Sequence, residues 1–599
     1  MPNPRIPIAT ALAIALLPAF TAVLVPFAGL YFLNVANLAF PWEVHLRPLL
    51  LIAGAVFAAG LALQLAAPRR LRPAASGLVL ALGAVAWAEA TLLVADVGAL
   101  QGHAVRWLDH AWLLVGELVL VAVMALLWRR RRDAVLRRAP AIVGLLVVSS
   151  LASLYPAYVD HQSQIRTPPR GAFSRQGVFE LSGERNVVIF IVDTFQSDIF
   201  AEILGADPAR RGRLDGFTWF PDATSGFPKT YASVPEALTG RAFANEQPYS
   251  RYQSEVFLGG SLPAELRRHG FDARVHAIDS QPYLPHADVF DNVVRERTGP
   301  ENEALRRGDF AILANLVMLR VAPFALKPWV FHDGRFRIDS ADGLSTDPRL
   351  PCALKTGDRR FSGVRRLWDL EFLDRVLSCL DASSAQPALR IYHLQGIHEP
   401  LLLMPDLAPA AARRPDERPS FLDQGAAALT LLDHALERMK ELGVFDNSTI
   451  VVMGDHGAGE AAGAEYRPGL LAAVVGETAP AAITDEAQLR LMRSASPLVL
   501  FKPAGSDGEF AVSAAPVALA DLPATVLADL GLPAPTGQMS MFARDPDAPR
   551  TRLYKDYKFT DWDVEFIEPL VEYEISGRAW DAASWRPSGR DLAPGAAAR

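Results

Sequence analysis

Five long apolar runs crowd the first 160 residues, and nothing else in this 599-residue chain limits its fold so strongly. They cover about residues 8–34, 47–67, 75–98, 109–128 and 139–157. Each holds roughly 17 or more mostly apolar residues, enough to cross a bilayer's hydrocarbon as a helix. The first run is too long for a cleaved signal peptide, has only Arg5 as a basic lead, and is followed by further runs. The loops set an orientation. Arg69, Arg70 and Arg72 separate runs two and three, and Arg129 to Arg132 with Arg137 and Arg138 separate runs four and five. The positive-inside rule places both loops in the cytoplasm. An odd number of spans then puts the N-terminus inside and everything after residue 158 outside. In a bacterium this is a multi-pass protein of the cytoplasmic (inner) membrane facing the periplasm or exterior. Glu89 falls inside the third run, in AVAWAEATLL. A carboxylate there is costly, so it marks either a functional site or a pair within the bundle.

A chain this long exceeds one hydrophobic core. We expect a transmembrane domain over 1–158, a juxtamembrane linker over 159–185, a catalytic domain over 186–549 and a C-terminal extension over 550–599. In the linker, Arg166, Arg170 and Arg175 either meet lipid headgroups or are simply solvated. The extension alternates aromatics and acids, as a small sheet or flap would, and its last residues are expected to be unstructured. The formal net charge of -7 and the lack of a basic stripe exclude nucleic acid as a partner. Oligomeric state has no signature here. Only two cysteines occur, Cys352 and Cys379. They form one disulfide in an oxidising compartment or remain two unrelated thiols.

The outer part reads as alternating strands and helices, the pattern of an α/β fold with a central, mainly parallel sheet. NVVIFIVD is a continuous apolar strand ending in Asp193. STIVVMGDHG ends in Asp455 and His456, and ALRIYHLQGIHEP supplies a third strand bearing His393 and His398. Such strands are buried on both faces and present ligands at their carboxyl ends. Asp, His and Asp-His at three strand ends suggest a metal site, with zinc or manganese favoured over magnesium or calcium where imidazole is a ligand. A hydroxyl beside a metal can attack phosphorus or sulfur. SGFPKTYASVPEALTG offers Thr230 or Ser233, although either could merely cap the helix that follows. Lys229 would neutralise charge on transferring oxygens, or is an ordinary surface lysine.

Taken together, these motifs resemble the alkaline-phosphatase superfamily in its sulfatase-like branch, over about residues 185–545. The expected fold is thus a five-helix transmembrane domain followed by an alkaline-phosphatase/sulfatase-like α/β domain. The multi-span anchor is similar to that of the lipid A phosphoethanolamine transferases and lipoteichoic acid synthases. The resemblance implies a threonine nucleophile and a divalent metal, most simply Zn2+. TYASVP places Thr230 three residues before Ser-Val-Pro, as in those transferases, and Lys229 matches the Lys-Thr pair of the synthases. It further implies Asp193, Thr230, Asp455 and His456 as metal ligands, with His393 and His398 on the transferring group or a second metal. Several features depart from the pattern, among them that those transferases are rich in disulfides whereas two cysteines allow at most one here. Asp193 stands where the phosphoethanolamine transferases have Glu. No clear histidine follows the Asp-His pair in AGEAAGAEYRPGL to serve a second metal. KTYAS also lacks the Cys/Ser-x-Pro/Ala-x-Arg setting from which sulfatases make formylglycine.

The expected activity is transfer of a phosphoethanolamine or phosphoglycerol group from a membrane phospholipid, through Thr230, to an extracytoplasmic glycan or glycolipid. Two alternatives stand beside it: a membrane-bound hydrolase of sulfate or phosphate esters, and an inactive membrane scaffold.

Overall fold

The computed structural model describes residues 6–35, 38, 40–95, 97, 105–160, 162, 172–174, 176–277, 282–283, 288–294, 300–332, 336–338, 368–410, 414–459, 461–558 and 565–595. Arg166, Arg170, Arg175 and Cys352 lie outside these residues. The chain divides into two compact units. One comprises Met1–Arg170 with Glu296–Arg366, and the other Gly171–Arg295 with Leu367–Arg599. The division is therefore not collinear with the sequence: a segment from the middle of the outer part groups with the N-terminal helices.

In the first unit, four helices among the described residues, not the five expected, are long and apolar enough to cross a membrane: α1 (Ile8–Leu33), α2 (Trp42–Ala66), α3 (Arg72–Thr91) and α4 (Trp112–Val159). The fourth and fifth expected runs share α4. No turn of several residues separates them: two helices meet at a kink within WRRRRDAVLRRA and form one unbroken element. One residue, Arg131, leaves helical geometry (φ -137°, ψ 24°). The two arms of α4 run in opposite directions along α3. The Trp128 ring lies against Gly77 and Leu93 against Gly116, whereas Trp87 Nε1 donates to Ser149 Oγ at 2.9 Å. Pro18 interrupts α1, and a π-helical turn follows at Phe20–Leu24.

In the second unit the sheet holds β1 (Asn186–Val192), β2 (Thr218–Trp219), β3 (Asp272–Ala277), β4 (Ala388–Leu394), β5 (Ser448–Met453), β6 (Val499–Lys502) and β7 (Ala511–Val512), in the order β7-β2-β6-β5-β1-β4-β3. From β5 to β3 every pair is parallel, while β6 is antiparallel to both of its neighbours. The sheet is thus mostly parallel. β1 is buried on both faces: Val188, Phe190 and Val192 join one core, and Val187, Ile189 and Ile191 the other. This is the period of two expected of a strand between helical layers. Helices α5 (Ser197–Ala206), α7 (Trp368–Cys379) and α8 (Arg418–Glu441) supply the first layer, and α6 (Thr230–Thr239) belongs to the second.

A second sheet closes the chain: β8 (Thr551–Asp556), β9 (Val571–Ser576) and β10 (Trp585–Pro587), all antiparallel. Tyr554, Tyr557 and Trp580 are buried, so these aromatics pack rather than line a cleft. The last described residues are also held. Leu592 is buried and its carbonyl accepts from Asn245 Nδ2 at 2.8 Å. Cys379, at the end of α7, is disulfide-bonded.

Candidate metal and nucleophile site

Parallel pairing of β5, β1 and β4 aligns their carboxyl ends. Ile191 of β1 faces Met453 of β5 on one side and His393 of β4 on the other. Asp193 and Asp455 therefore emerge side by side, just past the last paired residues. The ligand atoms of Asp193, Asp455 and His456 all lie within 4.8 Å of one another, and the three residues are buried. His456 Nε2 is 3.4 Å from Asp455 Oδ2 and 3.8 Å from Asp193 Oδ1. Its Nδ1 lies 2.8 Å from the Gly457 carbonyl. Donation from Nδ1 leaves a lone pair on Nε2, turned toward the carboxylates.

The fourth member arrives on α6. Thr230 is the first residue of that helix, and its Oγ1 lies 3.4 Å from His456 Nε2. A helix N-terminus favours negative charge, which suits a hydroxyl that must become an oxyanion. Ser233 sits one turn further on, fully buried, its Oγ without a hydrogen-bond partner. Lys229 precedes the helix in extended geometry and is half-buried.

Burial alone would raise the Asp455 carboxyl. The His456 and His393 rings, the Thr194 N–H and the Thr230 hydroxyl outweigh it and hold Asp455 below the usual carboxylate range. Its Oδ1 accepts from Thr194 N at 3.0 Å and from His456 N at 3.0 Å, while its buried Oδ2 has no hydrogen-bond partner. A buried, unsatisfied carboxylate oxygen facing an imidazole lone pair fits a cation between them. The donor set, two carboxylates with an imidazole and a hydroxyl alongside, is thus consistent with a divalent metal.

His393 and His398 occupy different settings. His393 is fully buried, its Nδ1 lies 3.1 Å from the Tyr283 hydroxyl, and its Nε2 is 3.9 Å from Asp193 Oδ2. Burial pushes His393 down to about 4, so the ring is neutral at ordinary pH. His398 is half-buried, with Nδ1 2.7 Å from the Glu399 carbonyl. Burial lowers it as well.

Three contributors lie outside the residues that the sequence singled out. Thr194 adopts φ 65°, a strained value for a threonine, and its hydroxyl donates to Asp193 Oδ1 at 2.7 Å. Asp369 of α7 accepts from the N–H groups of Gln395 (2.8 Å) and Gly396 (3.0 Å), pinning the loop between the two histidines. Gly396 itself has φ +59°, and a Cβ there would come within 2.7 Å of the backbone of Asp193. The C-terminal sheet braces the approach to Thr230. Lys555 N donates to Gly226 O at 2.8 Å, and Arg552 pairs with Asp222 at 2.9 Å, both side chains buried. Only the aromatic-acid alternation of the tail hinted at that role.

A family model described as Sulfatase matches residues 185–532, more than half of the chain. The chain belongs to the sulfatase family. No curated protein matches it. Among solved structures, the phosphonate monoester hydrolase SpPMH from Silicibacter pomeroyi is 16% identical, with 69% of this chain and 92% of that chain covered and a TM-score of 0.38. A protein in the alkaline phosphatase superfamily from Vibrio parahaemolyticus is 11% identical, covering 71% and 87% with a TM-score of 0.39. The lipoteichoic acid synthase LtaP from Listeria monocytogenes is 11% identical, covering 69% and 93% with a TM-score of 0.34. Membership of the sulfatase family makes this chain a hydrolase or phosphotransferase, and its four apolar helices suggest a membrane anchor.

Proposed function

We propose that this sulfatase-family protein is a membrane-anchored transferase. It takes a substituted phosphoryl group, phosphoethanolamine or phosphoglycerol, from a membrane phospholipid. It passes that group through Thr230 to an extracytoplasmic glycan or glycolipid. One observation carries the reading: the Thr230 hydroxyl, at a helix N-terminus, lies 3.4 Å from His456 Nε2 of the Asp193, Asp455 and His456 cluster, on a chain with four membrane-length apolar helices among the described residues. The disulfide at Cys379 supports an oxidising compartment outside the cytoplasm. Phospholipid is at hand there and ATP is not. The opposed arms of α4 and the arginines at Arg69 and Arg129 support an inner-membrane topology with the second unit outside.

Asp193, Asp455, His456 and Thr230 would hold a divalent ion, zinc first, then manganese, magnesium or calcium. When bound, it supplies Lewis-acid polarisation of the hydroxyl and of the phosphoryl oxygens. Thr230 Oγ1 bonds to phosphorus as the bond to the leaving glyceride oxygen breaks, and the threonine proton ends on that oxygen. Lys229 would balance charge on the transferring oxygens, and the neutral rings of His393 and His398 would offer them hydrogen bonds. A sugar hydroxyl then displaces Thr230 and regenerates its hydroxyl. Hydrolysis is the second reading, favoured by Asp193 where the phosphoethanolamine transferases carry Glu; it differs only in taking water as the acceptor.

The test is intact mass of the solubilised protein after incubation with divalent metal and a defined phospholipid, beside Thr230→Ala. A phosphoethanolamine or phosphoglycerol adduct on wild type alone supports transfer and names the donor. Metal-loaded protein that forms no adduct with any common phospholipid, yet cleaves sulfate or phosphate esters, would replace it with hydrolysis.

A further inference from the structure

The segment that leaves the second unit's sequence and groups with the N-terminal helices is bound at one end of that bundle. Its helix, Pro300–Val321, lays Phe310, Leu313 and Val317 against Phe27, Tyr31 and Leu49. Asp309 Oδ2 accepts from Phe40 N at 3.1 Å, and Arg320 Nε donates to Ala90 O at 3.2 Å. The short turn that follows is held by buried charge. Lys327 Nζ is 3.0 Å from Glu89 Oε2 and donates to the carbonyls of Leu319 (3.0 Å) and Arg320 (3.1 Å). Glu117 Oε1 accepts from Phe324 N. The rings of Phe324 and Phe331 meet Trp107 at 6.4 and 5.9 Å. The costly carboxylate of α3 is thereby explained: Glu89 pairs with a lysine 238 residues away. All these contacts fall at the end of the bundle opposite Arg69–Arg72 and Arg129–Arg132.

The opposite face of the turn is apolar and open. Leu326 is 52% and Trp329 60% exposed, beside Leu108 and Trp112, which are exposed where α4 begins. The Arg337 guanidinium stacks 4.1 Å over the Trp329 ring, and its Nε donates to Trp329 O at 2.7 Å. Tryptophan with arginine, continuous with the ends of apolar helices, is the composition of a membrane–water interface. In water the same surface would be an aggregation hazard.

We propose that residues 323–331 form a bilayer-interface element. Leu326 and Trp329 enter the headgroup level of the outer leaflet, Arg337 meets lipid phosphate, and the Lys327 pair with Glu89 fastens the element to the bundle. The occupant is lipid because the surface continues the lipid-facing flank of α4. The inference rests on the membrane reading above and goes beyond it, since none of the four spans includes these residues.

The test is depth-dependent quenching in phospholipid vesicles containing nitroxide lipids. The full chain carries an environment-sensitive label at Leu326→Cys, at Leu118→Cys within a span, or at Val512→Cys in the second unit, with unlabelled-site protein as the blank. Headgroup nitroxide should quench position 326 about twofold more than position 512, and mid-chain nitroxide should quench 118 most strongly. Quenching at 118 with none above the 512 level at 326, whether 326 faces water or a second copy of the chain, overturns the interface element alone. No quenching at either 118 or 326 overturns the membrane reading itself. Lys327→Met should lower quenching at 326. If that variant does not accumulate, Glu89→Gln with Lys327→Met removes both charges and should lower it in the same way. Unchanged quenching in either background would refute the fastening role of the pair.

Discussion

Glu236 allows a test of the nucleophile's surroundings that needs no substrate. It lies in α6, six residues beyond Thr230, fully enclosed, and its carboxyl accepts from the Gly226 N–H with the Lys555 charge nearby. Burial pushes it from 4.5 up to about 7. Between those values the folded chain holds a proton that the unfolded chain has released. Stability conferred by this group is therefore complete below about pH 4.5 and is lost as pH rises through about 7. A shift of about 2.5 units corresponds to about 3 kcal/mol at roughly 1.4 kcal/mol per unit. Glu236→Gln carries no titrating proton and should remove that slope. At roughly 1–2 °C per kcal/mol for a domain of this size, wild type should lose about 3–6 °C relative to the variant between about pH 5 and pH 8. The assay is the melting temperature of the solubilised chain at a fixed scan rate, read as a difference so that irreversibility common to both cancels. Curves that stay parallel across that range would refute the reasoning, because Glu236 would then titrate normally or not at all.

Asp455→Asn should reduce bound metal and turnover by more than about 100-fold while the chain still folds, measured by elemental analysis and ester turnover. Asp369→Asn puts an amide nitrogen against one of two backbone donors and loosens the loop between His393 and His398. Turnover should fall by about 100-fold with metal content unchanged, the scale expected of a misplaced catalytic group. Arg552→Met leaves the buried Asp222 carboxylate to Arg578, at 3.3 Å, and the Ala579 N–H, at 2.9 Å. Stability should fall by about 3 kcal/mol, seen as a lower melting temperature.

What could be read from the sequence was local. NVVIFIVD, STIVVM and ALRIYHL are buried on both faces, and that burial writes a continuous apolar run into the chain. Strand ends are where parallel sheets present ligands, so Asp193, Asp455 and His456 could be named before their 4.8 Å cluster was seen. Thr194 could not, because its role depends on a left-handed backbone angle that nothing in IVDTFQ announces. Asp369 and the C-terminal sheet act on residues tens to hundreds of positions away, beyond any periodicity. The count of membrane-length helices differed because the fourth and fifth runs are two helices that meet at a kink at Arg131, with no intervening loop to part them into separate elements. Glu89 announced a cost but not its partner, Lys327.

The return of the 300–338 segment to the anchor has a practical consequence. Release of a soluble enzyme by trimming residues 1–170 would strip Phe310, Leu313 and Val317 of the side chains they pack against and leave Lys327 without its carboxylate. The trimmed protein should aggregate even with its catalytic core intact. Excising the middle segment as well, and bridging from the region of β3 to α7, should yield the better-behaved soluble form.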